Sequence, residues 1–345
     1  GTYFPPESGY GRIGFREVLV TISEKWKKDP AALLETAENI VAGIKTTERR
    51  EEAKINADLP ERAVQMFDES FDRKNGGFGL APKFPTPHNL IFLTFYSHLH
   101  QEESAFEMVK ITLEQMRRGG IFDQIGYGFS RYSTDSYFLV PHFEKMLYDN
   151  ALLILAYSAA YKISGDKLFL DTAEQTAEYI FREMTGPEGE FFSAQDADSD
   201  GEEGKFYIWD KDEILAVLGT EKGEQFCEYF GITERGNFEG KNIPNLLSGK
   251  EICDQFHEEI ETLYCYRKSR GKLHLDDKIL TSWNSLMICA MAMLYRITGK
   301  QHYLEAARKT QKFIEKHLVK GNTLYVSCRE GVTAVKGFLD EYAYY

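Results

Sequence analysis

One unit recurs along this chain: a helix, a glycine turn, a short aromatic-rich extended run, then another helix. The turns are GGFG at 76–79, GGIF at 119–122, GPEGEFFS at 186–193 and KGNTLYVS at 320–327. Apolar positions spaced three and four apart predict helices at about 59–72, 87–101, 103–118, 141–164, 166–184, 280–298, 301–318 and 336–345. Repeated helical hairpins bury their apolar stripes only against one another, so they stack into solenoids or close into α/α toroids. The spacing predicts an all-α stack of helical hairpins, a solenoid or an (α/α) toroid, with short β-hairpins in the connecting loops. About eight such helices are read in this part of the chain. Such a fold gathers its connecting loops, and the polar side chains they carry, at one end.

Ahead of these hairpins, GFREVLVTISEKWKKD and PAALLETAENIVAGIKTTERR read as two helices, the second opened by Pro30. The charged run TTERREEAKIN reads as a solvated linker. The expected organisation is an N-terminal part at 1–48, a linker at 49–56 and a toroid at 57–345. An insertion at about 190–270 interrupts the toroid, with a hairpin at EFFSAQDADSDGEEGKFYIWD and short helices at 211–218 and 222–230.

Residues 119–150 hold the densest set of chemical groups: paired glycines, aromatics, Asp123, Arg131, Asp135, His142, Glu144 and Asp149. GGIFDQIGYGF has the form of a tight β-hairpin. Pro141 is placed to open a helix. His142 would then lie at a helix N-terminus, where the dipole favours the neutral imidazole, a base. Lys145 and Asp149 would follow it on the same helix face at i+3 and i+7. Glu144 would either cap the preceding hairpin or face the pocket.

Asp196, Asp198, Asp200 and Gly201 imitate the start of a calcium loop, but its twelfth position is Tyr207 rather than Glu, so no metal is expected. Asp196 and Asp198 remain candidates for the pocket, while Asp200, Glu202 and Glu203 read as a solvated turn. Trp283 and Asn284 offer a stacking face and a bidentate amide for a sugar, or a core indole and a cap. Arg131, flanked by Phe129 and Tyr132, suits a carboxylate or phosphate, or braces Asp123 or Asp135.

A net charge of −13 argues against nucleic acid and anionic membrane as partners. Five cysteines, widely spaced within helical runs and without a C-x-x-C pair, predict buried, reduced thiols and a cytoplasmic location. No phosphate-binding loop, metal-ligand cluster or nucleophile elbow appears, and no cofactor is expected.

Several segments resemble one family: GGFGLAPKFP (76–85), DQIGYGFSRYSTDSYFLVPHFEKMLYDNALL (123–153), FFSAQDADSDGEEGKFYIW (191–209), GNFEGKNIPN (236–245), LDDKILTSWNSLMI (275–288) and GFLDEYA (337–343). They are similar to the thioredoxin-domain proteins of the spermatogenesis-associated protein 20 type. That resemblance implies a thioredoxin-like domain, of which residues 1–48 would be the C-terminal remnant, followed by an all-α six-hairpin (α/α) toroid akin to N-acylglucosamine 2-epimerases. Against the twelve helices of such a closed ring about eight are read here, so the toroid is expected to be incomplete. Ser130 stands where the family pattern often has His, and Ser285 and Leu80 where it commonly has Gly. The implied function is sugar-directed: an isomerase or epimerase using a His base, a glycoside hydrolase with paired carboxylates, or a non-catalytic glycan- or protein-binding toroid. Candidate catalytic residues are His142, Glu144, Asp149 and Asp196. Candidate substrate-binding residues are Asp123, Arg131, Tyr132, Asp198, Trp209, Trp283, Asn284, Asp340 and Tyr342, and the expected partner is a small carbohydrate.

Overall fold

The computed structural model describes residues 4–9, 13–47 and 56–345. Most of the expected linker at 49–56 lies outside the described residues. The chain divides into two compact units, 1–59 and 60–345. In the first, α1 (Phe15–Lys28) packs on α2 (Pro30–Thr47), and Asp29 caps α2 through Oδ1 to the Ala32 N–H at 3.1 Å.

The second unit is an open arc of an (α/α) toroid. Its helices are α3 (Leu59–Ser70), α4 (Pro87–His100), α5 (Glu103–Arg118), α6 (Leu147–Ser164), α7 (Lys167–Glu183), α8 (Lys211–Leu218), α9 (Thr220–Tyr229), α10 (His257–Arg270), α11 (Thr281–Thr298), α12 (Gln301–His317) and α13 (Leu339–Tyr344). Helices α4, α6 and α11 form the inner layer, α6 packing on α4 on one side and α11 on the other. Each leads to an outer partner: α5, α7 and α12 respectively. The division follows from the sequence. Outer helices bury one stripe, as α5 does with Ala105, Met108, Val109, Thr112, Leu113 and Met116. By contrast, α6 buries Leu147, Ala151, Leu153, Ile154, Ala156, Tyr157 and Ala160 around much of its circumference, each large side chain contributing about 1.5–3 kcal/mol. Gly165 and Gly299, both at positive φ, end α6 and α11.

Strands are short. They are β1 (Tyr132–Ser133), β2 (Pro141–His142), β3 (Lys145–Met146), β4 (Ala194–Gln195), β5 (Asp198–Ser199), β6 (Glu202–Glu203), β7 (Leu275–Asp276), β8 (Ile279–Leu280), β9 (Val319–Lys320), β10 (Thr323–Arg329) and β11 (Val332–Lys336). β1 pairs with β2, β5 with β6, and β4 lies between β3 and β7, all antiparallel. Two expectations change here. Pro141 opens no helix: residues 141–146 are extended, and α6 begins six residues later at Leu147. The expected helix at 336–345 shrinks to α13, because Lys336 completes the β10–β11 hairpin.

The glycine turns repeat in atomic detail. Phe71 bridges Phe78 and Phe122 bridges Phe129. In the first turn Asp72 Oδ1 accepts from the N–H groups of Lys74 and Asn75, both at 3.0 Å. Lys83 Nζ then donates to Asp72 Oδ2 at 2.6 Å and to the Gly76 carbonyl at 2.7 Å. In the second, Asp123 Oδ1 accepts from Ile125 (3.0 Å) and Gly126 (2.8 Å), and Lys145 Nζ donates to Asp123 Oδ2 (2.9 Å) and the Tyr127 carbonyl (2.7 Å). Gly128, at φ +75°, admits no side chain, since a Cβ there would meet the Tyr179 ring at 2.3 Å.

A second joint repeats as well. Asn150, fourth residue of α6, accepts from the Phe129 N–H at 2.8 Å and donates to the Phe129 carbonyl at 3.0 Å. Asn284, fourth residue of α11, does the same to Phe191 at 2.9 and 3.0 Å. Both asparagines are fully buried. Asn150→Ala and Asn284→Ala each orphan a buried backbone N–H and C=O, so urea denaturation should show each variant less stable by about 2–4 kcal/mol.

Candidate functional site

All the turns and lead-in strands lie at the end of the arc where α4, α6 and α11 begin. There Arg131 Nη1 donates to Glu144 Oε2 at 2.9 Å. The same carboxylate oxygen lies 3.7 Å from His142 Nε2, while His142 Nδ1 meets Glu203 Oε1 at 2.6 Å. The imidazole stacks on Tyr132 at 5.1 Å between centroids, and Tyr132 packs on Phe84 at 4.8 Å. Backbone pairing fixes these positions, because Tyr132 opposes His142 in the β1–β2 ladder. Behind Glu144, the first turn of α6 carries Tyr148 and Asp149. Tyr148 lies between Arg131 and Asp149 and packs on Trp283 of α11 at 4.8 Å.

His142 is not a helix-terminal base. It lies in β2, and the two glutamates, Glu144 first and then Glu203, raise its pKa against the opposing effect of burial. Nor do His142, Lys145 and Asp149 share a helix face. Lys145 is in β3 and points into the core, while Asp149 is in α6. Glu144 is held below the usual carboxylate range by His142 and Arg131. Asp149 is displaced the other way. Burial raises its pKa to about 7, with Tyr148 and Arg131 opposing and Glu144 adding to the rise. Its Oδ2 and the Nε of Arg131 are both buried without a hydrogen-bond partner.

Asp123 is a structural joint rather than a ligand contact. Besides Lys145 it receives both terminal nitrogens of Arg267 from α10, each at 2.9 Å, and those cations hold its pKa well below the carboxylate range despite burial. Lys145, fully buried against Tyr179 (4.5 Å) and Tyr207 (4.9 Å), is pushed down to about 8 by burial. Trp209 is also no platform: it is completely buried, with the Arg270 guanidinium 4.0 Å from its ring. Asn284 spends its amide on Phe191 and is closed to a sugar. Asp196 and Asp198 are exposed, and Asp196 Oδ1 accepts from the Asp198 N–H at 3.2 Å. Asp198 pairs in register with Glu203. Asp340 and Tyr342 are exposed on α13, where the Tyr342 hydroxyl accepts from the Leu324 N–H at 3.1 Å.

Of the expected residues, then, the structure brings together Arg131, Tyr132, His142, Glu144, Asp149 and Trp283. Two residues of these networks carry no role in the sequence reading: Glu203, read as part of a solvated turn, and Arg267, in a helix at 257–270 for which no element is expected. The F-D-x-x-x-x-G-F repeat at 71–78 and 122–129 would have exposed the Asp123 joint. Three of the five expected buried thiols, Cys253, Cys265 and Cys289, are exposed; Cys227 and Cys328 are buried, and all five are free. Among the described residues, no group of three or more His, Cys, Asp or Glu has the placement to hold a metal ion. No described helix is long and apolar enough to cross a membrane.

Comparison with known proteins agrees with the motifs. The chain is 36% identical to human spermatogenesis-associated protein 20 over 400 aligned residues, covering 100% of this chain and 51% of the human protein. Over its whole length the chain is similar to spermatogenesis-associated protein 20. It spans about half the length of the curated relatives it matches, and the rat spermatogenesis-associated protein 20 is 34% identical over the same extent. An uncharacterized protein of Caenorhabditis elegans is 32% identical over 394 residues, covering 100% of this chain and 54% of that protein. No family model matches. Solved structures with a partial likeness include a family 76 glycoside hydrolase, an α-mannanase of Bacteroides thetaiotaomicron. It has 14% identity and a TM-score of 0.46, with 75% of this chain and 55% of that one covered. Another is the cellobiose 2-epimerase of Bacillus thermoamylovorans, at 12% identity and a TM-score of 0.36, with 81% and 93% covered.

Two outcomes test the electrostatics. Arg267→Met leaves the buried Asp123 short of its bidentate partner and should destabilise by about 3–5 kcal/mol in urea denaturation. Asp149 has a folded pKa above its unfolded value, so its contribution is fully present below about pH 4 and is lost as pH rises through about 7. Asp149→Asn escapes that loss. Relative to the parent, it should therefore gain about 2–4 kcal/mol between pH 4 and pH 8, measured by denaturation at both pH values.

Proposed function

We propose that the open end of the arc is a carbohydrate site in which Asp149 is the general acid and Glu144 the ionised carboxylate. The observation that carries this reading is the opposite displacement of two nearby carboxyls: Glu144 held down by His142 and Arg131, Asp149 pushed up to about 7 by burial. Environments that drive two titratable groups apart in this way assign an acid and a base at neutral pH. Arg131, His142 and Glu144, all partly exposed, offer donors and an acceptor to the hydroxyls of a sugar. Trp283 and Tyr148, half-buried and packed together, supply an apolar face for a pyranose ring.

The same geometry bears on the isomerase reading. With Glu144 and Glu203 around it, His142 favours the imidazolium and fits proton donation better than proton abstraction. Carboxylate-assisted acid chemistry at an anomeric centre therefore fits the groups present better than a His base acting next to a carbonyl.

A panel of reducing sugars and aryl glycosides tests the proposal, with glycoside cleavage and C2-proton exchange in deuterated water followed by NMR. We expect glycoside turnover that declines as pH rises through about 7 and falls about 100-fold or more in Asp149→Asn. Sugar binding by calorimetry without any turnover would reduce the site to a glycan-binding module. Exchange at C2 without cleavage would restore the isomerase reading. Neither binding nor turnover across the panel would end the carbohydrate proposal.

A further inference from the structure

Away from this mouth, the outer layer carries a buried charge without a counter-charge. Arg117 lies in the last turn of α5 and is 7% exposed. Its Nη1 donates to Gln124 Oε1 at 2.6 Å, and Nη2 reaches Gln175 Oε1 at 3.4 Å. Gln124 is locked in turn, donating to the carbonyls of Arg117 at 2.9 Å and Gly119 at 3.1 Å. The Phe122 ring covers the guanidinium, 4.4 Å from its central carbon to the centroid.

Among the described residues, the other buried cations, Lys83, Lys145 and Arg267, all have an aspartate within 2.9 Å. Arg117 has no carboxylate within 4.0 Å among the described residues. Two amide oxygens and the negative end of the α5 dipole provide only partial charge. A guanidinium has five N–H donors, and these two bonds use one on each terminal nitrogen. Beside it is a cavity of about 20 Å³ lined by Arg117, Gln124, Tyr127, Gln175 and Tyr229. That space admits one water-sized occupant.

We infer that this cavity is a binding site for a single small monovalent anion of the halide class, with chloride the physiological case. Burial of an unpaired cation creates the demand, and the cavity's size sets the class. Phosphate, sulfate and carboxylate-bearing metabolites are too large. The exposed Asp254 at the cavity's outer edge also weighs against multiply charged anions. Tyr127 contributes a second donor: burial pushes its phenol up to about 12, so it keeps its proton at neutral pH. The Tyr229 hydroxyl is spoken for by the Glu251 carbonyl at 2.5 Å, while Arg117 and Tyr127 both line the space. The site stands apart from the carbohydrate proposal and does not depend on it.

Thermal unfolding of the full chain in sodium chloride and in sodium gluconate at matched ionic strength tests the inference. We expect the melting temperature in chloride to be higher by about 2–4 °C, and the difference to vanish in Arg117→Gln. Should that variant fail to fold, the parent still decides the matter. Crystals grown in bromide should give an anomalous peak within hydrogen-bond distance of the Arg117 guanidinium. Equal melting temperatures in the two salts, a chloride effect that survives in Arg117→Gln, or bromide crystals without a peak at Arg117 would each overturn the inference and leave water as the occupant.

Discussion

The arc depends on a carboxylate that fastens its own turn and the next strand at once. Asp72 and Asp123 each gather two N–H groups of a glycine turn on one oxygen and an ammonium on the other. The lysine comes from the strand that feeds the next inner helix, so the joint sets where α4 and α6 begin. Such an ion pair is a net asset only where every remaining lone pair and proton is satisfied. Here the backbone goes part of the way, the carbonyls of Gly76 and Tyr127 each accepting a second bond from the ammonium. Asn150 and Asn284 add a second fastening one helical turn further in.

Because the lead-ins are held this way, polar side chains at the start of α6 are brought into positions that solvent alone would not favour. Glu144 sits where two positive groups converge and stays ionised, while Asp149, one short helical step away, is shut from water and resists ionisation. Secondary structure, packing and acid–base chemistry are here one chain of causes. The extended residues 141–146 expose Glu144 to Arg131 and His142, and the turn into α6 hides Asp149.

Helices of this kind were legible because a 3.6-residue stripe ending at glycine has few alternatives; α5 of the outer layer at 103–118 and α8 of the insertion at 211–218 match the pattern read from the residues. Residues 141–146 were not, because a Pro followed by mixed apolar and charged residues looks alike at the head of a helix and in short strands. What decides between them is pairing with Tyr132, Ala194 and Gln195, the last two some fifty positions away. The same limit hid Arg267, whose partner Asp123 is 144 residues distant, and Glu203, which reaches His142 across 61. Trp209 and Asn284 carry the right chemistry for a sugar, and only burial shows that each is already spent. Arg131, Tyr132, His142, Glu144 and Asp149 were found together because one local segment holds them all.

The two copies of the Asp–Lys joint differ in one respect. The first carries one cation, Lys83, beside the Asn75 side-chain amide; the second has also recruited the cation Arg267 from a helix that interrupts the hairpin series. The interrupting segment has thereby become a strut of the ring. An attempt to pare this chain down to its bare hairpins would take the strut away and leave a stranded negative charge at the heart of what remained. Any minimal version of the fold has to replace Asp123 in the same step.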